Sequence, residues 1–391
     1  MAWAFRAGAS KLRTRIGLCK IASTNNVPKV QVSWISTRQT RKTRPPRPEP
    51  FPYKEKSFNI WEQIFDDTVF RFDDNTKVIL VEGPPAVGKG ELAKKLAHDL
   101  DMLYVPQTVL EDEWVHKYNF DLRTLDDKLP ESCRSVDLST FLNNPSLRNG
   151  GVMQLFFYRL RFHKYMKILA HVLSTGQGVV TERSPWSDDC FAKAMHANGY
   201  LSPNAFKLYN TMVEQSLHEL MRPHLVVYLD ASVKDVQEKI KKRNIPGESK
   251  IFNEKFLTDL ENNYKYDFLK KMDEHANILI YDYSRGGDFE VIVEDIETLK
   301  FDEQPQDSKK MMDWDLVANV MWTERRRKYS DQQEQMLLYL MLQQLIADEL
   351  IVTAEESYIR HEVLKKYAPR DAWDPNYMPL KPKKNLLEAA Q

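Results

Sequence analysis

The sequence has few cysteines and no long uncharged apolar run. Its cysteines, Cys19, Cys133 and Cys190, lie far apart. They offer neither a disulfide framework nor the paired spacing of a zinc site, so a reducing compartment is the simplest interpretation. No segment reaches the roughly 18 apolar residues that a membrane span needs. There is no internal repeat, and 391 residues with 42% hydrophobic content can bury one large core or two smaller ones.

Acidic residues are absent from the first 48 positions, which contain eleven lysines and arginines. The formal net charge of zero therefore hides an acidic body with 45 basic and 56 acidic residues. Nucleic-acid binding depends on neutralising phosphates with basic side chains, so an acidic body argues against it.

Residues 1–44 have the composition of a mitochondrial targeting sequence. Basic residues are spaced among apolar ones, hydroxyl residues are frequent, and the apolar segment of a secretory signal is missing. A basic arm that binds nucleic acid is the alternative. Residues 45–76 follow as a proline-rich arm, extended over 45–52, and a lead-in helix near Ile60 to Phe65.

Residues 77–90, KVILVEGPPAVGKG, join a short β-branched strand to the G-x-x-x-x-G-K spacing of a phosphate loop, and a helical pattern follows. Glycines let backbone N–H groups surround phosphate oxygens, and the helix start and the lysine add positive charge. We therefore predict that Gly83, Gly88, Lys89 and Gly90 contact nucleotide phosphates. A Gly/Pro turn that happens to carry a lysine is the alternative interpretation.

Further short apolar strands, separated by helical segments, end at Val105, Thr181 and Asp230. This alternation predicts an α/β fold of three layers, in which a parallel sheet is flanked by helices. Ligands of such sheets sit beyond the carboxyl ends of the strands. Lys89, Arg183 and the basic segment 241–243 are therefore expected around one cleft.

The segment ERSPWSD, residues 182–188, resembles the end of the third strand in the deoxyribonucleoside kinase family, and the likeness defines a predicted domain over residues 77–302. The resemblance implies a P-loop kinase-like fold. It implies that Arg183 reaches a 5′-oxygen or a phosphate and that Glu182 lies near the metal ion. It also implies that the basic lid residues Lys241 and Arg243 contact the phosphates.

The same resemblance places Gln154, Arg161 and Asp188 at the edge of a nucleoside base. An amide, a guanidinium and a carboxylate can together recognise donor and acceptor positions. Ordinary roles remain open for two of them. Gln154 is in that case a surface amide, and Asp188 a cap of the following helix.

The general base of the family is not found at its expected position. A kinase of this family needs a carboxylate after the second strand to take the proton of the nucleoside 5′-hydroxyl. Here the candidates are Val105 and Gln107, which cannot accept it. The next carboxylates, Glu111 and Asp112, lie further along the loop.

Two further departures weaken the predicted site. Gly90 stands where the phosphate loop usually has a serine or threonine whose hydroxyl holds magnesium, and Ile245 stands where a last lid arginine is expected. An aliphatic group in place of a guanidinium clamps a phosphoryl group less well. Together with the missing base, these changes predict a protein that keeps the kinase fold but has lost the kinase activity.

The segments GKG, residues 88–90, and TGQGVV, residues 175–180, are similar to those of the kinase-like accessory subunits of mitochondrial respiratory complex I. This resemblance implies a non-catalytic subunit on the matrix face of the inner membrane, peripheral to it, with other complex I subunits as partners. No cofactor is required. The question whether a nucleotide or dinucleotide is bound stays open, and a purine nucleotide is expected in preference to FAD. The alternative is an active mitochondrial deoxyribonucleoside kinase.

Residues 303–391 are predicted to be a C-terminal helical extension. Gln332 to Leu350 carries a broad apolar helical face. This face packs either on the protein's own core or on neighbouring subunits. The basic run at residues 325–328 is assigned no role.

Overall fold

The computed structural model of the protein describes residues 35–42, 46–115, 120–301, 308–341, 346–370 and 373. Within these residues five strands form one parallel sheet in the order β2-β3-β1-β4-β5. The strands are β1 Val78–Glu82, β2 Leu103–Val105, β3 Val179–Glu182, β4 Leu225–Asp230 and β5 Asn277–Asp282.

Helices account for most of the remaining described structure. The α-helices are α1 Arg38–Arg41, α2 Ile60–Phe65, α3 Lys89–Asp99, α4 Glu111–Trp114, α5 Leu138–Asn143, α6 Leu147–Thr175, α7 Pro185–Ala197, α8 Pro203–Ser216, α9 Val233–Arg243, α10 Glu248–Ile251, α11 Glu254–Asn262, α12 Leu269–Asp273, α13 Phe289–Glu297, α14 Asn319–Ser330, α15 Gln333–Leu338 and α16 Ala354–Tyr367. A π-helical stretch, Asn263–Phe268, joins α11 to α12.

The central strand β1 is buried at every position, including its last residue, Glu82. Full burial of a strand requires cover on both faces, which is why its sequence is continuously apolar rather than alternating. Helix α3 packs against β1, β2 and β3, and α12 packs against β5. The predicted α/β fold with a helix-flanked parallel sheet is confirmed.

Helices follow the ends of β1 and β3, after the phosphate loop in the first case and after two residues in the second. After β3, Ser184 caps α7 in a reciprocal capping box with Ser187, and Pro185 occupies the first turn. Both residue types suit a helix start, because the serines satisfy free backbone N–H groups and proline has none to satisfy. The two helix starts therefore face the same edge of the sheet, where the cleft lies.

Helices are present in both the arm (residues 45–76) and the C-terminal extension (residues 303–391), here also called the tail. The predicted lead-in helix is present as α2, and α14 packs along α6. The prediction of one helix over Gln332 to Leu350 is wrong, because α15 ends at Leu338. The N–H groups of Tyr339, Leu340 and Met341 bond to carbonyls three residues back, a tightening that ends a helix. Residues 342–345 lie outside the described chain.

The first residues described already belong to the folded body. Ile35 and Ser36 are buried, although both fall inside the predicted targeting segment 1–44, whose other parts (1–34 and 43–44) lie outside the described residues. In the part of the chain that the structure describes, no helix is long and apolar enough to cross a membrane.

Candidate functional site

The phosphate loop between β1 and α3 requires glycine at two positions. Gly83 has φ +145°, and a Cβ there would come 2.5 Å from the carbonyl oxygen of Leu229 on β4. Gly88, which precedes α3, has φ +105°. Side chains rarely adopt such backbone conformations, so the loop curls back onto the sheet only with glycine at these two sites.

Lys89 points its ammonium group into the loop. The side chain is almost fully buried, and Nζ donates a 2.6 Å hydrogen bond to the carbonyl oxygen of Pro84. Burial, reinforced by the charge of Arg183, lowers the pKa of Lys89 well below its usual value, against the opposing effect of Glu82 and Glu182. A phosphate at this position would favour the charged form of Lys89 and oppose this decrease in its pKa.

Gly90 makes room for the carboxylate of Glu182. A Cβ at Gly90 would lie 3.1 Å from Glu182 Oε1, and that same oxygen accepts a 2.6 Å hydrogen bond from the hydroxyl of Tyr104. The phosphate-loop motif usually supplies a serine or threonine hydroxyl to magnesium, and Gly90 has none. The residues present therefore lack one ligand of the magnesium site that the family implies, and Glu182 is the acidic residue that lines this cavity.

Arg183 has an unusual backbone conformation, and two aromatic side chains hold its guanidinium in place. Its backbone has φ +58°, its guanidinium lies 4.1 Å from the centre of the Phe191 ring, and Nη1 donates a 2.9 Å hydrogen bond to the hydroxyl of Tyr264. A left-handed conformation at a residue other than glycine is uncommon and concentrates at functional positions. Arg183 lines the cleft, as predicted.

A buried carboxylate lies behind Arg183. Glu82 accepts hydrogen bonds from the hydroxyls of Ser184, at 2.9 Å, and Tyr264, at 3.3 Å. Burial raises its pKa, although Arg183 opposes the shift. Glu82 and Tyr264 were not predicted from the sequence. Glu82 could have been noticed as the only charged residue of a strand that is otherwise apolar.

The three side chains predicted to face a base are together and buried. Gln154 Nε2 donates a 2.7 Å hydrogen bond to Asp188 Oδ2, and Arg161 forms an ion pair with Asp188. Gln154 is 2% exposed, which excludes a surface amide, and Ser184 rather than Asp188 caps α7. Burial, with a further contribution from Arg183, lowers the pKa of Arg161 to about 10.

Two adjoining cavities form the cleft. The base-side cavity has a volume of about 160 Å³ and is lined by Gln154, Arg161 and Arg183 among apolar side chains. The phosphate-side cavity, of about 630 Å³, is lined by Gly88, Lys89, Gly90 and Glu182. Lys89 and Arg243 line both cavities, so the geometry suits a ligand with an apolar planar end and an anionic end.

The lid contributes different cations from those predicted. Arg243 lines both cavities, but Lys241 is exposed and lines neither. Lys239 and Lys242 line the phosphate-side cavity instead. Residues three and four apart share one helix face, so 239, 242 and 243 point together and 241 points away. The expectation for Lys241 is therefore corrected.

A carboxylate from the lid engages Arg243. Arg243 Nε donates a 3.1 Å hydrogen bond to Glu248 Oε2, and its Nη2 forms an ion pair with the other oxygen. Glu248 is 2% exposed and lines the base-side cavity. It was not found from the sequence, because its position at the N-terminus of the short helix α10 carries no motif.

No free carboxylate lines the cleft among the described residues. Its two acidic residues are Glu182, bonded to Tyr104, and Glu248, paired with Arg243. Gln107 occupies the wall shared by both cavities. Glu111 lines neither cavity, and the side chain of Asp112 lies outside the described structure.

Comparison with known proteins finds one matching family model and relatives of two kinds, a mitochondrial NADH dehydrogenase subunit and deoxynucleoside kinases. The family model for deoxynucleoside kinase matches residues 79–315. The chain is 37% identical over 251 residues to mitochondrial NADH dehydrogenase (ubiquinone) 1 alpha subcomplex subunit 10 of Mus musculus, which covers 64% of this chain and 68% of that protein. It is 26% identical over 246 residues to deoxyguanosine kinase of Dictyostelium discoideum, covering 63% and 77% respectively. A solved structure of deoxyadenosine kinase from M. mycoides with bound dATP aligns to 57% of this chain and 100% of that chain, with 15% identity and a TM-score of 0.42.

Proposed function

The chain belongs to the deoxynucleoside kinase family, and from that premise we propose that it is a non-catalytic accessory subunit of mitochondrial NADH:ubiquinone oxidoreductase, complex I, on the matrix side. The family model covers more than half of the chain, so the family resemblance predicted from the sequence is confirmed. The mouse relative, a mitochondrial NADH dehydrogenase subunit by name, shares 37% identity, against 26% for the deoxyguanosine kinase.

The observation that carries the non-catalytic part of the proposal is the pairing of both acidic residues in the cleft. Glu182 accepts a hydrogen bond from Tyr104, and Glu248 is bound to Arg243. Both carboxylates are thereby engaged by other side chains, which supports the proposal that neither acts as the general base, and the neutral amide of Gln107 in the same wall cannot take that role. General base catalysis contributes roughly 10²- to 10⁴-fold to such reactions, so its absence alone would make turnover very slow.

The segments added to the kinase domain support a role in assembly. Of the 23 large apolar residues exposed in the described structure, 15 lie outside residues 79–315. Those outer segments contain less than a third of the described chain. Exposed apolar residues gathered in this way are typical of protein–protein contact surfaces. The arm contributes Trp61, Phe65 and Phe70, each more than two-thirds exposed.

The cleft also supports a bound nucleotide without turnover. Lys89 and Arg183 line the cleft where phosphates are proposed to bind, and Gln154 and Arg161 line its base-side cavity. Asp188 lines neither cavity and is instead the buried partner of Gln154 and Arg161. As the ligand we propose a purine nucleotide in preference to FAD. Binding to the folded state alone raises thermal stability by mass action. A rise in melting temperature with added nucleotide, absent in Lys89→Ala, would identify this state.

Assembly is tested in mitochondria. We expect the protein to co-migrate with complex I on native gels and to sediment with the inner membrane after gentle lysis. Protease added to mitoplasts, with the inner membrane intact, should leave it undigested if it faces the matrix. A free monomer or dimer in mitochondrial extracts would overturn the assignment.

Catalysis is tested on the purified chain. Incubation with labelled ATP and each deoxynucleoside should give no transfer above the level of Lys89→Ala, while an active deoxynucleoside kinase in parallel confirms the assay. Transfer that Lys89→Ala abolishes would instead establish the alternative, an active mitochondrial kinase.

The contact surface is tested with a matched pair of substitutions. Phe70 is 72% exposed on the arm, and Tyr266 is 71% exposed within the kinase domain. We expect Phe70→Ser to reduce incorporation into complex I and Tyr266→Ser to leave it unchanged, with equal melting temperatures for the two free proteins. Equal incorporation of both variants would argue against docking through the arm.

A further inference from the structure

Residues 35–42, here called the N-terminal strap, are built into the body of the protein. Ile35 is 2% exposed and belongs to the main apolar core, and Ser36 is 5% exposed. The composition of the sequence extends the targeting segment to residue 44, which would include the whole strap. Burial of this kind belongs to a structural element rather than to a leader that is discarded.

A buried asparagine fixes the strap. The backbone N–H of Ser36 donates a 2.9 Å hydrogen bond to Asn75 Oδ1, and Asn75 Nδ2 donates a 2.7 Å hydrogen bond back to the carbonyl of Ser36. Asn75 is 0% exposed. Without the strap its amide would lose two partners. A buried polar group left without partners is costly, unlike an exposed one.

The strap also connects three separate parts of the fold. The N–H of Thr37 donates a 3.1 Å hydrogen bond to Glu297 of α13, and Arg38 lies 3.2 Å from the His98 ring nitrogen of α3. Arg41 forms a 2.6 Å ion pair with Asp73, which precedes β1. The strap therefore holds together elements that are distant in the sequence.

The charge on Asp73 depends on the strap. Burial raises the pKa of Asp73, but hydrogen bonds and charge from Arg41 and Arg47 outweigh this and leave the pKa below its usual value. A cut at residue 44 would remove Arg41, and Arg47 would be the close basic partner left to this partly buried carboxylate among the described residues.

We infer that the targeting segment is removed before Ile35, so that the mature protein keeps the strap as its first structural element. The inference rests on the proposed mitochondrial function, because processing accompanies import. Its physical basis is independent of import, since the core contacts of the strap exist in the chain itself.

The first residue of the mature protein is determined directly. The protein is captured from purified mitochondria and from cytosol, and its intact mass and N-terminal sequence are measured. We expect a mitochondrial chain that has lost residues from its N-terminus and begins at or before Ile35, whereas an uncleaved mitochondrial chain overturns the inference. A mitochondrial chain that begins further on overturns the inference and leaves the proposed function standing. A full-length chain found only in the cytosol overturns both.

The contribution of the strap to stability is measured by comparing the melting temperatures of two purified chains, one that begins at residue 35 and one that begins at residue 43. The shorter chain should melt lower by about 4 °C or more. Asn75→Ala should lower the melting temperature of the longer chain more than that of the shorter one, since the shorter chain has already lost the strap. Equal melting temperatures for the two lengths would overturn the inference.

A pair of point variants covers the case in which the shorter chain fails to fold. Ile35→Ala should lower the melting temperature of the longer chain, and Gln39→Ala, at an exposed position of the same strap, should leave it unchanged. Identical behaviour of the two variants would show that the strap is not part of the core.

Discussion

Arg326 offers the sharpest test of how the added segments are joined to the kinase domain. It lies in the basic run at 325–328, yet its side chain is 0% exposed. The guanidinium lies 3.8 Å from the ring centre of Phe58 and 4.6 Å from that of Phe51, and Nη1 lies 2.7 Å from Asp66 Oδ2. One arginine of the tail therefore holds three residues of the arm.

The cost of Arg326→Ala follows from these contacts. Removal of one partner from a buried ion pair typically costs about 3–5 kcal/mol. Asp66 keeps Arg71 as a second partner, which places the ion-pair loss near the lower limit. Loss of the two ring contacts adds about 1 kcal/mol. We therefore expect a decrease of about 4 kcal/mol in the free energy of unfolding.

The neighbouring Arg327 provides the control. It is exposed on the same helix, and surface substitutions usually change stability by no more than about 0.5 kcal/mol. Urea denaturation of Arg326→Ala and Arg327→Ala, followed by circular dichroism and tryptophan fluorescence, measures the difference. Equal denaturation midpoints, or a loss below about 1 kcal/mol for Arg326→Ala, would refute the proposed junction.

Three further outcomes follow from the structure. Gly83→Ala should destabilise the protein, or prevent folding, because its Cβ would lie 2.5 Å from a carbonyl oxygen of Leu229 at an unfavourable φ. Gly286→Ala is the control, because φ is also positive there but nothing lies within 4 Å. Chemical denaturation of the two variants therefore separates the effect of crowding from that of backbone strain. Burial lowers the pKa of His224 well below 6.5, so the unfolded chain takes up the proton first and stability falls as the pH drops below 6.5; His224→Gln should flatten this decrease in melting temperature between pH 7 and pH 5. Glu248→Gln should release Arg243 for phosphate and tighten nucleotide binding about tenfold by calorimetry, and unchanged affinity would show that the lid pairing does not compete with the ligand.

Local patterns predicted much of the fold. The apolar strands and the phosphate loop are each contained within a few neighbouring positions, so their physical meaning can be derived without knowing the rest of the chain. The departures from the family pattern were equally visible, because Val105 cannot accept a proton and Gly90 has no hydroxyl in any fold.

Predictions that needed side-chain direction were less successful. Lys241 and Lys242 are adjacent and chemically identical, yet only Lys242 lines the phosphate-side cavity. The difference depends on how α9 is rotated against the sheet. Likewise, the apolar pattern after Gln332 does not continue as one helix, because the chain turns beyond Leu338.

The sequence by itself determined the succession of strands and helices, the glycine positions of the phosphate loop and the lack of a hydroxyl at Gly90, because these depend on residue type and local spacing. Only the tertiary structure decided which distant groups meet. It brought Ser184 and Tyr264 onto Glu82, Glu248 onto Arg243, and the strap onto Asn75. Contacts between residues far apart in the chain depend on the packing of whole elements, and no local pattern records that packing.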